Sequence, residues 1–202
     1  MKHINQTLTG LTLMAILYGN CFAADPMEER GAKLASALEI STNNQTQITN
    51  APVFSDKQSV MAGEFKLKQK RIMKSSQPGS HIDVDILNTN DLVMATGRII
   101  ECASSDLARK LLLEQLALNS MTIEALARRY KVLQNDVGEL CIGETIYDET
   151  SKAFVLDPSV IHFVRGGAAI TIHTKDKSKA ALDLARTIDK GLAATTVSSQ
   201  KK

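Results

Sequence analysis

The amino-acid sequence predicts an α+β protein: a mainly antiparallel sheet with helices packed on one face, forming a single domain. Three observations carry that expectation. Apolar and polar residues alternate in short runs such as Phe65-Lys66-Leu67-Lys68 and His81-Ile82-Asp83-Val84-Asp85-Ile86, the period-2 signature of half-buried strands. The stretches 105–118 and 178–192 instead repeat apolar residues every three or four positions, the spacing of amphipathic helices. Their order is strands, a helix pair, strands and a final helix. It lacks the strict strand–helix alternation of a doubly wound nucleotide fold.

The first 23 residues carry an export pattern. Lys2 and His3 precede an apolar run from Leu8 to Tyr18, Gly19-Asn20 breaks it, and Cys21-Phe22-Ala23 places small residues three and one positions before a cut ahead of Ala24. The run is shorter than the roughly 20 residues of a spanning helix, so no permanent membrane span is expected after cleavage. Cys21 raises a lipoprotein alternative, for which Asn20 is a poor residue directly before the cysteine. The protein is therefore expected to be periplasmic or secreted. Residues 24–59 read as a short helix and a polar linker. Asp25-Pro26-Met27-Glu28 makes a capped helix start with a thin stripe of Met27, Leu34, Ala35 and Leu38 behind it. Residues 41–50, apart from Ile48, are Ser, Thr, Asn and Gln around the sequon Asn44-Gln45-Thr46, too polar to order themselves by burial.

The globular domain is expected over 60–194, with a frayed tail at 195–202. After the two alternating strands comes a third over 92–102, bent at Gly97. Ser104 or Ser105 can cap a helix whose face is Leu107, Ala108, Leu111, Leu112, Gln115 and Leu118. A second helix over 121–130, capped by Thr122, presents Ile123, Leu126, Ala127 and Tyr130. Strands come next at 139–147, 154–156, 161–164 and 168–174. The last helix buries Ala181, Leu184, Ala185, Ile188 and Leu192, and Gly191 lies near its end.

Composition excludes some functions. Of the 202 residues, 44% are hydrophobic and only 4% aromatic, with no tryptophan, which disfavours base-stacking platforms and aromatic carbohydrate clefts. A formal net charge of +2, with both signs mixed along the chain, gives no basic field for nucleic acid. Export leaves Cys102 and Cys141 as an even pair in an oxidising compartment, so a disulfide between them is expected. Closing a loop of about 40 residues would remove roughly 4 kcal/mol of unfolded-state freedom.

Motifs for chemistry are sparse, and no catalytic, cofactor-binding or metal-binding residue is assigned. Gly166-Gly167 leads into a strand, whereas a phosphate cradle needs a helix N-terminus there. No Ser lies in a Gly-x-Ser-x-Gly turn. Asp83 and Asp85 share a strand face, as the wet side of an amphipathic strand would. Residues 121–132 resemble the first helix of helix-turn-helix DNA binders and of peptidoglycan-binding LysM modules. The next residues, Leu133-Gln134-Asn135-Asp136-Val137-Gly138-Glu139, lead into a strand and not into a second short helix.

The stretch 160–173 reads as a hairpin turning at Gly166-Gly167. That turn pairs Arg165 with Ala168, Phe163 with Ile170 and Ile161 with Ile172, which aligns four large apolar residues on one face. His162 and His173 fall on the other face as diagonal neighbours, roughly 7–8 Å apart. That spacing serves a shared metal only with a third ligand. His162, Arg165 and His173 are the polar groups of the candidate binding surface.

The succession Gly138-Glu139-Leu140-Cys141-Ile142-Gly143, the hairpin around Arg165-Gly166-Gly167, and Ala181-Leu182-Asp183-Leu184-Ala185-Arg186-Thr187-Ile188-Asp189 resembles small exported bacterial α/β domains of uncharacterised function. The resemblance covers the last third of the chain and implies a fold more than an activity. The expected function is a non-enzymatic envelope or secreted module with a protein or small-molecule partner. One alternative is a metal-dependent or acid–base enzyme using His162, His173 and the carboxylates near Asp83. Another is cell-wall binding through 121–132.

Overall fold

The computed structural model describes residues 36, 53–54, 57–73, 79–118, 123–133, 136–175 and 180–199. The export segment, the helix start at Asp25, the polar stretch 41–50 and the last three residues of the tail lie outside the described residues. Four strands come first: β1 (Ser59–Ala62), β2 (Phe65–Met73), β3 (Ser80–Leu87) and β4 (Val93–Glu101). Helices α1 (Ser105–Ala117) and α2 (Ile123–Arg129) follow, then β5 (Tyr130–Val132), β6 (Leu140–Asp148), β7 (Ala153–Arg165), β8 (Ala168–Thr174) and α3 (Ala181–Ser199). The eight strands form one antiparallel sheet in the order β1-β2-β3-β4-β8-β7-β6-β5. Two sequential meanders thus meet at β4 and β8, and the α+β class is as expected.

Alternation along the strands divides the core between the two faces. Val84, Ile99, Cys141, Phe163 and Ile170 pack with Leu184, Ala185 and Ile188 of α3. Their sequence neighbours Ile100, Ile142, Val164 and Ala169 pack with Leu112 and Leu116 of α1 and Leu126 of α2. Helices therefore lie against both faces, a departure from the one-face expectation. The cause is the row Ile100, Ala169, Val164 and Leu140, which makes the supposedly wet face apolar at one end and in need of cover.

Local chemistry explains the element ends. Ser104 caps α1, its hydroxyl accepting from the Leu107 N–H at 3.2 Å. Gly191 does not terminate α3. It lets the helix approach the β1–β2 turn, because a Cβ there would overlap the backbone of Ala62 and Gly63, and α3 runs on to Ser199. The two short strands expected at 154–156 and 161–164 are one strand, β7, carrying an irregularity opposite Gly143–Thr145. Pro158 lies in that irregularity, where its missing N–H removes no ladder bond. Phe54, within the stretch read as linker, is buried in the core, and its N–H donates to Glu101 Oε1 at 2.8 Å.

The expected disulfide is overturned: Cys102 and Cys141 are not bonded to each other. Cys141 faces α3, whereas Cys102 packs with the cluster under α1 and α2. Two strands, β8 and β7, also separate β4 from β6, so three strand spacings hold the cysteines at least about 14 Å apart. A disulfide needs Cα atoms within about 7 Å. Burial, followed by the Glu101 charge, pushes the Cys102 thiol up to about 11.

Candidate functional site

The hairpin of β7 and β8 has the register its sequence implies: Arg165 pairs with Ala168, Phe163 with Ile170, His162 with Thr171 and Val160 with His173. Gly166 turns at φ +53, and Gly167 leaves room for the Cys102 carbonyl, whose oxygen lies where a Cβ would stand. Parity then separates the three residues of the candidate surface. His162 and His173 share the α1 face, whereas Arg165 points to the α3 face and does not join them.

Arg165 belongs to a buried network. Its Nε donates to Asp189 Oδ1 at 2.5 Å and its Nη2 to Asp189 Oδ2. Asp189 lies on α3, is 1% exposed, and also accepts the Gly138 N–H at 3.1 Å. Glu139 accepts the Gly166 N–H at 2.8 Å and the Ser105 hydroxyl, while its own N–H donates to the Val164 carbonyl. The residues behind the resemblance to exported domains thus bind the hairpin turn, the loop before β6 and α3 together. Their role is to hold the fold. Gly138 takes φ +63, and a Cβ would overlap the Val164 carbonyl oxygen.

The histidines open onto a cleft of about 470 Å³ where the helix pair stops covering the sheet. Two cross-strand rows make its floor. Asp83, Arg98, Thr171 and His162 are successive partners across β3, β4, β8 and β7, and Asp85, Thr96, His173 and Val160 form the next row. Gln115 and Leu116 of α1, Arg129 of α2 and Tyr130 of β5 line the side, with Lys70 and Glu144 also facing in. One row further, at Ile100 and Ala169, the same face is apolar and lies under α1. The cleft therefore begins where the strand residues change from apolar to polar.

His162 is 4% exposed, yet both ring nitrogens have partners. Nδ1 lies 3.0 Å from Thr171 Oγ1, and Nε2 lies 3.3 Å from Glu144 Oε1. The Tyr130 ring meets the imidazole edge-on at 5.9 Å between centroids. The hydrogen bond from His162 holds the Glu144 carboxyl below its ordinary range, against the opposing effect of burial, with His162, Arg129 and His173 charges adding to it. His173 is exposed to the cleft, and partial desolvation lowers its pKa, with the His162 and Arg98 charges helping and Glu144 opposing. Asp83 pairs with Arg98 Nε at 2.9 Å and Asp85 with Lys70 at 3.4 Å. Arg129 stacks over Tyr130, 5.5 Å from the ring centroid.

The structure thus gathers His162, His173, Asp83 and Asp85 into one cleft. Among the described residues, no group of three His, Cys, Asp or Glu side chains is placed to hold a metal ion. The helix resembling cell-wall modules uses Leu126 and Ala127 to pack on the sheet, and β5 follows it directly. Sequence reasoning missed Glu144, Arg98, Arg129 and Lys70. The available signal was parity, since Glu144 falls two residues after Ile142, which pairs with His162, and Arg98 two before Ile100. No helix among the described residues is long and apolar enough to cross a membrane. No family model, curated protein or solved structure matches the chain.

Proposed function

We propose that this is an exported envelope or secreted protein of bacterial type whose domain is a non-enzymatic module, binding a small polar ligand in the cleft over His162 and His173. The observation that carries this reading is the polar floor left uncovered between helices that elsewhere pack on the sheet. A concave site with a few convergent polar groups and a fixed base is how small-molecule sites are built. The export part rests on residues 1–23. Fractionating cells that express the chain with and without that segment tests it, and retention of the full chain in the cytoplasm would overturn it. For the cleft, the imidazole signals of His162 and His173 should shift on titration with a polar fragment set. Shifts confined to other surfaces would count against the reading.

A second reading, acid–base catalysis, is favoured by the Glu144–His162–Thr171 chain, in which an imidazole bridges a carboxylate and a hydroxyl. It is the weaker reading on two physical grounds. The Thr171 hydroxyl belongs to a residue 9% exposed in the middle of the sheet. The ladders to β4 and β7 also occupy the main-chain N–H groups around Thr171, and those groups would otherwise be needed to stabilise an oxyanion. Turnover of model esters that disappears in a Thr171→Val variant would reverse this preference.

A further inference from the structure

We infer that the cleft selects ligands through an oxyanion, a carboxylate or phosphate group, clamped by Arg98 and Arg129. The inference deepens the ligand-binding reading above and rests on it. Each cleft carboxylate already has a hydrogen-bond partner: Asp83 has Arg98, Asp85 has Lys70, and Glu144 has His162. The guanidinium donors, by contrast, are largely uncommitted. Arg98 commits only its Nε, to Asp83, leaving both Nη groups. Among the described residues, Arg129 has no hydrogen-bond or ion-pair partner, and its contact with the Tyr130 ring, 5.5 Å from the centroid, occupies none of its five N–H groups with an acceptor. Both arginines line the same cleft as Thr96, Thr171 and His173.

A guanidinium whose plane is fixed by one contact while its donors remain free is pre-organised for a planar or tetrahedral oxyanion. Arg129 is held beside the Tyr130 ring, and Arg98 is held by its bond to Asp83. The hydroxyl of Thr96 and the imidazole of His173, kept neutral by desolvation, would meet the uncharged remainder of the ligand. A ligand with a cationic head would have to displace Arg98, Lys70 or His162, since each cleft carboxylate already has one of them as a partner.

The test is titration of the full chain, followed by two-dimensional NMR, with inorganic phosphate, succinate, glycerol and choline. Phosphate or succinate should shift Gly97, Thr171 and His173, and the tighter of the two identifies the phosphate or the carboxylate source. Arg129→Gln should weaken that binding roughly 10- to 100-fold, the loss expected for charge-assisted bonds, at an unchanged thermal midpoint. Arg98→Lys keeps the charge beside Asp83 but loses the fork, and should weaken binding as well. Anion affinity unaltered in both variants would overturn the clamp, as would cleft shifts with glycerol or choline alone, which would leave the ligand-binding reading standing. If no probe shifts the cleft, the clamp and the reading beneath it both fail.

Discussion

The Arg165–Asp189 pair gives a prediction whose size follows from its asymmetry. The Asp189 side chain is 2% exposed and that of Arg165 33%. Replacing Arg165 with Met strands a carboxylate that has almost no access to water and keeps only the Gly138 N–H. Breaking a buried pair in this way costs about 3–5 kcal/mol. Asp189→Asn instead keeps an acceptor for Gly138 and leaves a guanidinium that can turn toward solvent, so the cost is the charge-assisted part of the bonds, about 1–2 kcal/mol. For a domain of this size Arg165→Met should lower the thermal midpoint by roughly 10–20 °C, and Asp189→Asn by less than half of that. Urea denaturation of both single variants and the double variant, read as a mutant cycle, measures the coupling directly. Equal, small losses below about 1 kcal/mol with no coupling would show the pair to behave like a surface ion pair. That outcome would refute its assignment as the bond between hairpin turn and helix.

Three further predictions concern other parts of the molecule. Gly138→Ala should destabilise far more than Gly143→Ala, since the first meets a backbone carbonyl at a positive φ and the second only the movable end of Leu156; denaturation midpoints in the reverse order would contradict this. Unfolded, non-reduced protein should show labelled thiols at both Cys102 and Cys141, while the folded protein reacts slowly at about pH 8, well below the raised Cys102 value; peptide mapping that found the two residues cross-linked would refute the strand order. His81 and His173 should contribute a loss of stability on acidification from about pH 7.5, opposed in the acid range by Glu101, whose carboxyl is pushed up by burial. His81 and His173 have folded values below 6.5, lowered chiefly by desolvation, so their contribution is complete above 6.5 and is lost as pH falls through the folded values. Glu144, lowered from 4.5 by the His162 hydrogen bond, adds a further loss below about pH 4.5. A double His81→Gln, His173→Gln variant should flatten the upper part of the curve, and an unchanged slope would remove the histidines from the account.

Period and parity carried much of the fold. Alternation at 82–86 and the Gly166-Gly167 turn were enough to place β3 and the pairing of β7 with β8, because a one-residue slip would turn every large apolar side chain outward. Other features were not legible for stated reasons. Cysteine parity suggested a bridge, but the number of intervening strands is a property of topology, which no local pattern records. Val164 and Ala169 alternate with Phe163 and Ile170 and so fall on the histidines' side of the hairpin; only the long-range arrival of α1 and α2 makes them core. Of the candidate site, the two histidines were visible as a pair. Their neighbours Arg98, Asp83 and Glu144 come from strands whose adjacency is set by β4 meeting β8 and by the irregularity beside Pro158.

That meeting of β4 and β8 also governs how the chain can be assembled. Every other pairing in the sheet joins strands consecutive in sequence, each closing a short loop at small entropic cost, whereas β4 and β8 must wait for the whole intervening segment. Each meander is therefore suited to form as its own cooperative unit, with union of the halves the late, slow event. The helices reinforce that union as straps: α3 reaches from β1 to β7 across one face, and α1 from β4 to β7 across the other. Opening the joint requires both straps to lift. Because the floor rows of the cleft run across the same joint, an occupant held on Arg98 and His173 would act as a third.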